Sequence, residues 1–400
     1  MRLVGDPGMG KSMIITFLIE KLTTRLGVTP NMVLAYHFCD NRNQSSNTAQ
    51  AVVRMMLFQL FQQRPQHFHY LQKAYDIQGN KLFSDFPEMW RIFLEVLAHY
   101  GDGFESSEVF LLIDALDECD EESRELLMQG LKKVSNSSAD VRIFFTCRPE
   151  ADIEMHHKND GIKTLSCIIG PDDLNGDIEK FINDKVPKLC TRKGWDEKIV
   201  QQISDDLRRK AKGIFLWCAF VLEDIEKVRQ AEITKTLQSL PKNLTEVYRR
   251  ITGLFKPGDK EVATMVLDIV AGARRPLELD ELTMTYVLAE NCPKDNRWVK
   301  NELPPDEEIQ TFRDVYETCT RLLRFDQPTN TVNLVHQSAK DYLLQEYLKE
   351  PDQPADEKTN VRLNNLFLEL IFRYFSLEDF DHLQYRMVFD AEWDIDWECR

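Results

Sequence analysis

Gly5 to Ser12 read G-D-P-G-M-G-K-S, preceded by Met1-Arg2-Leu3-Val4 and followed, from Ser12 to Leu26, by apolar residues at helical spacing. The octet satisfies G-x-x-x-x-G-K-[ST], a loop whose backbone amides cradle phosphate. Glycine lets those N–H groups curl around an anion with no Cβ in the way. The helix that follows adds the positive end of its dipole. On this reading Gly5, Gly8, Met9 and Gly10 form the cradle, Lys11 reaches the β- and γ-phosphates, and the Ser12 hydroxyl ligates Mg2+. A glycine turn opening an ordinary helix is the plainer alternative. The strand stub before the loop and the amphipathic helix after it favour the phosphate loop.

Outward from the loop, strands and helices alternate. Asn31 to Cys39 (N-M-V-L-A-Y-H-F-C) reads as a strand and Thr48 to Gln62 as a helix, with a looser helical stretch from Pro87 to Tyr100. Glu108 to Ala115 (E-V-F-L-L-I-D-A) is a continuous apolar run of the kind buried on both faces of a sheet. Asp120 to Val134 is a helix with an acidic first turn. Val141 to Cys147 is the next strand, stopped by Arg148-Pro149, and Lys163 to Ile169 is a fifth. This order predicts a parallel sheet in an α/β layer fold over residues 1–170.

After Gly170-Pro171 the pattern becomes helical. Asp172 to Val186, Asp196 to Lys210, Gly213 to Val228 and Ala231 to Leu240 make an all-α domain over 171–241. Asn243 to Ala271, Pro276 to Leu288 and Thr311 to Leu322 are helical, and a strand pair, Leu323 to Asp326 and Thr331 to Val335, flanks a Q-P-T-N turn. Together they predict a winged-helix domain over 242–350. Residues 351–400 read as a polar, proline-bearing linker and the start of a further helical region.

A phosphate loop needs a magnesium carboxylate at the end of a neighbouring buried strand, and Asp114 closes V-F-L-L-I-D. Asp117 and Glu118 follow. A second carboxylate just past the magnesium residue is how additional-strand ATPases orient and deprotonate the attacking water, and the sequence leaves open which of the two is the base. Arg148, closing the next strand, can reach a γ-phosphate from the same sheet edge. The alternatives are a solvated acidic loop for the carboxylates and an exposed strand-capping arginine for Arg148.

G-D-P-G-M-G-K-S, L-L-I-D-A-L-D-E (111–118) and F-F-T-C-R-P (144–149), in this order and spacing, resemble the NACHT domain of STAND-class signal-transduction NTPases. The resemblance is to the fungal branch with a nephrocystin-like N-terminal module. Y-H-F-C-D-N-R-N (36–43), G-I-F-L-W-C-A-F-V-L (213–222), L-P-K-N-L-T-E-V-Y-R-R-I (240–251), R-R-P-L-E-L-D-E-L (274–282) and L-V-H-Q-S-A-K-D-Y-L (334–343) extend it to roughly residue 348. It implies a P-loop sheet of the additional-strand type, a helical domain and a winged helix, held closed by ADP and opened by ATP into an oligomer. Slow Mg-dependent hydrolysis resets the switch. His336 matches the winged-helix histidine that contacts the ADP β-phosphate in this family. A full-length relative implies an N-terminal effector and a C-terminal repeat sensor in addition.

Two departures stand out. Related families carry Gly-x-Pro, with the proline touching adenine, where this chain has Gly213-Ile214-Phe215, so that adenine contact is not implied here. The family also has a longer first strand with an upstream segment that encloses the base, so a fragment, or a start at an internal methionine, is expected.

Composition narrows the function classes. With 50 basic and 66 acidic residues the net charge is −16, which disfavours a sequence-independent grip on nucleic acid or anionic membrane. The longest apolar run, Ile214 to Leu222, is about half a membrane span. Nine cysteines, never closely spaced, suggest reduced buried thiols and a cytoplasmic protein, and His156-His157 reads as a solvated turn. Two rival classes remain open: a turnover machine such as a motor or small-molecule kinase, and an ADP-binding scaffold without hydrolysis.

Overall fold

Val109, Leu111 and Ile113 of one strand lie in the main core cluster, while Leu112 joins a second cluster on the opposite side. That strand therefore needs helices on both faces. The computed structural model describes residues 1–29, 31–43, 45–101, 108–135, 140–149, 166–290 and 319–347. These divide into two compact units, Met1–Val247 and Tyr248–Arg400.

The first unit holds a five-stranded sheet in the order β2-β3-β4-β1-β5. The strands are β1 (Arg2–Val4), β2 (Met32–Phe38), β3 (Glu108–Asp114), β4 (Val141–Cys147) and β5 (Ser166–Ile168). Every pairing is parallel, with Val4 level with Cys147 and with Ile168, Ile113 with Phe145, and Phe38 with Asp114. All strand C-termini therefore meet one edge, and β4 lies between the loop-bearing strand and the strand that ends in Asp114. This is the additional-strand arrangement of the P-loop α/β fold expected from the sequence.

Helix α1 (Lys11–Leu26) covers one face through Ile15, with Leu18, Ile19 and Leu22 packed beside it. The other face is covered by α2 (Ala49–Gln63), α4 (Phe86–Gly101) and α5 (Glu121–Ser135), which bury Val52, Leu57, Leu60, Trp90, Phe93 and Leu127. Thr48 caps α2 by accepting the Ala51 N–H.

Sequence periodicity passed over the stretch between α2 and α4. It folds as short 3-10 turns around α3 (Phe68–Gln78), because Pro65 interrupts the helical pattern before it can register. Helix α6 (Asn175–Lys193) runs through Pro187 instead of stopping at Val186. Beyond the proline, Leu189 and Cys190 are buried, and their packing offsets the missing hydrogen bond. Helices α7 (Glu197–Lys210), α8 (Phe215–Lys227) and α9 (Ile233–Gln238) follow. Most of the apolar run 214–222 lies in α8, where Trp217, Cys218, Phe220, Val221 and Leu222 are buried. Of the thiols expected to be buried, Cys167 is exposed on β5, an edge strand whose three residues all face solvent.

The helical stretch expected over 243–271 consists of two helices, α10 (Leu244–Gly253) and α11 (Pro257–Gly272), with Pro257 opening the second. In the second unit, β6 (Leu277–Glu278) precedes α12 (Leu279–Glu290) and pairs with β8 (Thr331–Leu334), which pairs antiparallel with β7 (Leu323–Asp326). β6 is too short to show in a period-two pattern. Helix α13 (Gln337–Tyr342) follows β8. Most of the expected helix 311–322, the histidine pair and the region 351–400 lie outside the described residues. Among the described residues no helix is long and apolar enough to cross a membrane.

One edge of the large sheet is covered by side-chain amides. Gln63 donates to the Leu34 carbonyl at 2.7 Å and accepts its N–H at 3.0 Å; Gln59 does the same to Tyr36 at 2.8 and 2.9 Å. Spaced four apart on α2, the two glutamines stand in for a missing strand. Replacing both (Gln59→Leu/Gln63→Leu) is expected to leave those edge groups unpaired and promote concentration-dependent aggregation on heating, read by light scattering. Single variants should fall between the double variant and the native chain, and a double variant as soluble as the native chain would contradict this role.

Candidate functional site

The loop after β1 is held open by its glycines. Gly8 has φ +80° and Gly10 φ +82°, left-handed values that side chains other than glycine rarely adopt. Met9 between them is buried, and α1 begins at Lys11. Lys11 bends back over the loop, with Nζ donating to the Gly5 carbonyl at 2.6 Å and the Asp6 carbonyl at 3.1 Å. Burial pulls its pKa down, while Asp117 and Asp114 push it up and Arg148 opposes them. The ammonium is thus poised next to acidic groups from another strand. Ser12 is exposed at the first turn.

Asp114, 3% exposed, accepts a 2.6 Å hydrogen bond from the Thr146 hydroxyl. The same hydroxyl accepts the Ala115 N–H at 2.8 Å. Ala115 has φ +50°, an uncommon value for a residue with a Cβ, so Thr146 steadies both the carboxylate and the strained turn after it. Sequence reading missed Thr146. The signal was present: it is the one polar residue in the strand's F-F-T-C end, two before Arg148.

Asp117 and Glu118, equivalent in sequence, differ in environment. Asp117 pairs with Arg148, Oδ2 to Nε at 3.1 Å, and its Oδ1 accepts the Arg148 backbone N–H at 3.1 Å. Burial raises its pKa, and the Arg148 and Lys11 charges counter that. Glu118 is pushed up to about 7, first by burial and then by the negative charges of Asp117 and Asp40. Among the described residues its carboxylate has no hydrogen bond or ion pair, whereas Asp40 is paired bidentately with Arg42 at 2.7 and 2.8 Å. Glu118 is therefore the carboxylate whose proton affinity is raised to near neutrality, and Asp117 is the carboxylate that anchors Arg148.

The edge fits a magnesium–phosphate ligand. Among the described residues no group of three or more His, Cys, Asp or Glu side chains is arranged to hold a metal. A Mg2+ ion bound mostly by phosphate oxygens and water needs only one or two protein oxygens, which Ser12 and Asp114 would supply.

Residues 1–148 match the family described as Nephrocystin 3, N-terminal. The vegetative incompatibility protein HET-E-1 of Podospora anserina is 28% identical over 374 residues, 92% of this chain. These matches support a fungal NACHT-type protein. The chain spans 25% of the length of HET-E-1, so it matches one part of that relative. Among solved structures, the Walker-type ATPase PABY2304 of Pyrococcus abyssi aligns over 86% of this chain and 90% of its own, at 13% identity and TM-score 0.37. The Aeropyrum pernix ORC2 protein in its ADPNP–ADP complexes aligns over 93% and 88%, at 11% identity and TM-score 0.34. At those scores the structural alignments say nothing about function. Together with the loop and carboxylates of the sheet edge, the family and HET-E-1 matches support a nucleotide-binding NTPase.

His336 belongs to the second unit, where it caps α13. Its Nδ1 accepts the Ser338 N–H at 3.1 Å and lies 2.8 Å from the Ser338 hydroxyl, which also meets the Tyr248 hydroxyl at 2.8 Å. With Nδ1 accepting, the proton of the neutral ring sits on Nε2, leaving that nitrogen a donor.

Thr146→Val should orphan the buried Asp114 oxygen and the Ala115 N–H, lowering stability by about 1–3 kcal/mol. Thr146→Ser, which keeps both hydrogen bonds, should lose far less in a denaturant titration. Equal losses would assign Thr146 to packing alone.

Proposed function

We propose that this chain is an ATP/ADP-binding switch of the NACHT/STAND class, in which nucleotide exchange and slow hydrolysis control self-assembly. The observation that carries the reading is the sheet edge itself: Asp114 is held by Thr146, Asp117 is paired with Arg148, and all three charged groups act on the Lys11 ammonium of the loop. Lys11 trades its loop carbonyls for phosphate oxygens, and the amides of Gly8 to Ser12 take the β-phosphate. Ser12 and Asp114 hold Mg2+, which supplies charge neutralisation between the phosphates. Arg148, anchored by Asp117, faces the γ-phosphate. Glu118 accepts a proton from the attacking water.

In the same reading residues 1–170 form the nucleotide-binding domain, 171–241 a helical domain and 242–350 a winged helix. The resemblance assigns His336 to the nucleotide's β-phosphate. Self-association runs through the nucleotide-binding domain, an effector and a sensor belong to the longer protein, and no nucleic acid or membrane is engaged. These parts rest on the resemblance and on a net charge of −16.

Lys11→Ala should abolish ADP binding in isothermal titration calorimetry. Equal affinity in both proteins would remove the phosphate cradle from the account.

Glu118→Gln should retain ADP binding and lower hydrolysis by about 100-fold or more, and native hydrolysis should rise with pH through about 7. The variant also carries a stability signature. The folded carboxyl is pushed up to about 7 from an ordinary 4.5, so its proton is held more tightly in the folded state. The stability that this proton linkage contributes is full below the unfolded value and gone above the folded one. In thermal melts of the nucleotide-free protein, Glu118→Gln should match the native chain near pH 4.5 and exceed it by pH 8. A pH-independent offset would contradict the buried-base assignment.

A further inference from the structure

Gly8 is gripped from outside the loop. Its carbonyl accepts a 3.0 Å hydrogen bond from the backbone N–H of Phe215, the first residue of α8. A Cβ placed on Gly8 would lie 3.0 Å from Ile214 and 3.1 Å from Leu216, and one on Gly10 would lie 3.7 Å from the Phe215 ring. The ring itself packs edge-on against Phe181 of α6 at 5.9 Å. Residues 214–216 therefore lie directly on the phosphate loop.

The hydrogen bond has a consequence for the cradle. In a planar trans peptide the carbonyl of one residue and the N–H of the next point in opposite directions. With the Gly8 carbonyl turned outward to Phe215, the Met9 N–H must turn inward. There it lies 3.4 Å from the Asp6 carbonyl, a long contact that a phosphate oxygen can replace. Two hydrogen bonds on one peptide group strengthen each other, so an anion on the Met9 N–H tightens the Phe215 bond, and the reverse holds.

We propose that Phe215 is a positioning residue for phosphate, its backbone N–H latching the start of α8 to the loop so that phosphate occupancy and the placement of that helix are coupled. This rests on the nucleotide-switch reading and deepens it. A proline at this position cannot make the latch, because it has no N–H.

The local geometry permits a clean test. Proline is tolerated at the first position of a helix, and the preceding Ile214 has φ −98° and ψ +98°, an extended conformation compatible with a following proline. Phe215→Pro removes ring and N–H, whereas Phe215→Ala removes the ring alone. Calorimetric titration of both variants and the native chain with ADP and with inorganic pyrophosphate separates the two contributions, with thermal melts to confirm that both variants fold. The expected result is that Phe215→Pro binds each ligand about three- to ten-fold more weakly than Phe215→Ala, the worth of one hydrogen bond. The same ratio for pyrophosphate places the effect at the phosphates and not at the base. If the two variants bind equally, or differ for ADP alone, the latch is overturned while the switch reading stands. If the native chain binds neither ligand, both fall together.

Discussion

Lys11 keeps its ammonium 2.6 Å from the Gly5 carbonyl, folded over its own loop and within electrostatic reach of two carboxylates that arrive more than a hundred residues later in the chain. A buried ammonium costs free energy unless something nearby welcomes it. The parallel sheet brings that partner. Because β1, β4 and β3 run side by side in one direction, the loop after the first, the arginine after the second and the acidic turn after the third share an edge. Break the register and the lysine loses both its carbonyl seat and its counter-charges. The helices on the two faces matter to function mainly because they hold that register.

The edge also divides labour between similar groups. Asp117 and Glu118 are neighbours with the same charge, yet one is tied twice to Arg148 and the other is left among negative charges and little water. Coulomb repulsion between adjacent carboxylates then matters: pairing with Arg148 favours the charged form of Asp117 against its burial, and that charge helps hold the Glu118 proton near neutral pH. Asp114 is steadied by a third route, a hydroxyl from β4 that also supports the left-handed Ala115. Three carboxylates within five residues thus meet three environments.

Much of this was legible in the sequence, and for physical reasons. The Gly5–Ser12 loop has a spacing that few other geometries need, and the run before Asp114 is apolar at every position because its strand is buried on both faces. What stayed hidden was non-local. Periodicity cannot say that Thr146 hydrogen-bonds a residue 32 positions away, or that Gln59 and Gln63 cover a strand edge. It also failed where a proline misled it, stopping α6 at Val186 and passing over α3 beyond Pro65. The choice between Asp117 and Glu118 could not come from composition, since it depends on which one meets Arg148. Phe215 shows the reverse case: in sequence it is a departure from a family pattern, and in space it is a backbone donor to the phosphate loop.

Hydrogen–deuterium exchange of the native chain with and without ADP and Mg2+ tests the central claim most directly. The account predicts that nucleotide slows exchange at the amides of residues 8–12, and with them those of 214–216, before any other segment. Nucleotide-dependent protection that leaves residues 8–12 unchanged, or no protection at all at saturating ADP, would contradict it.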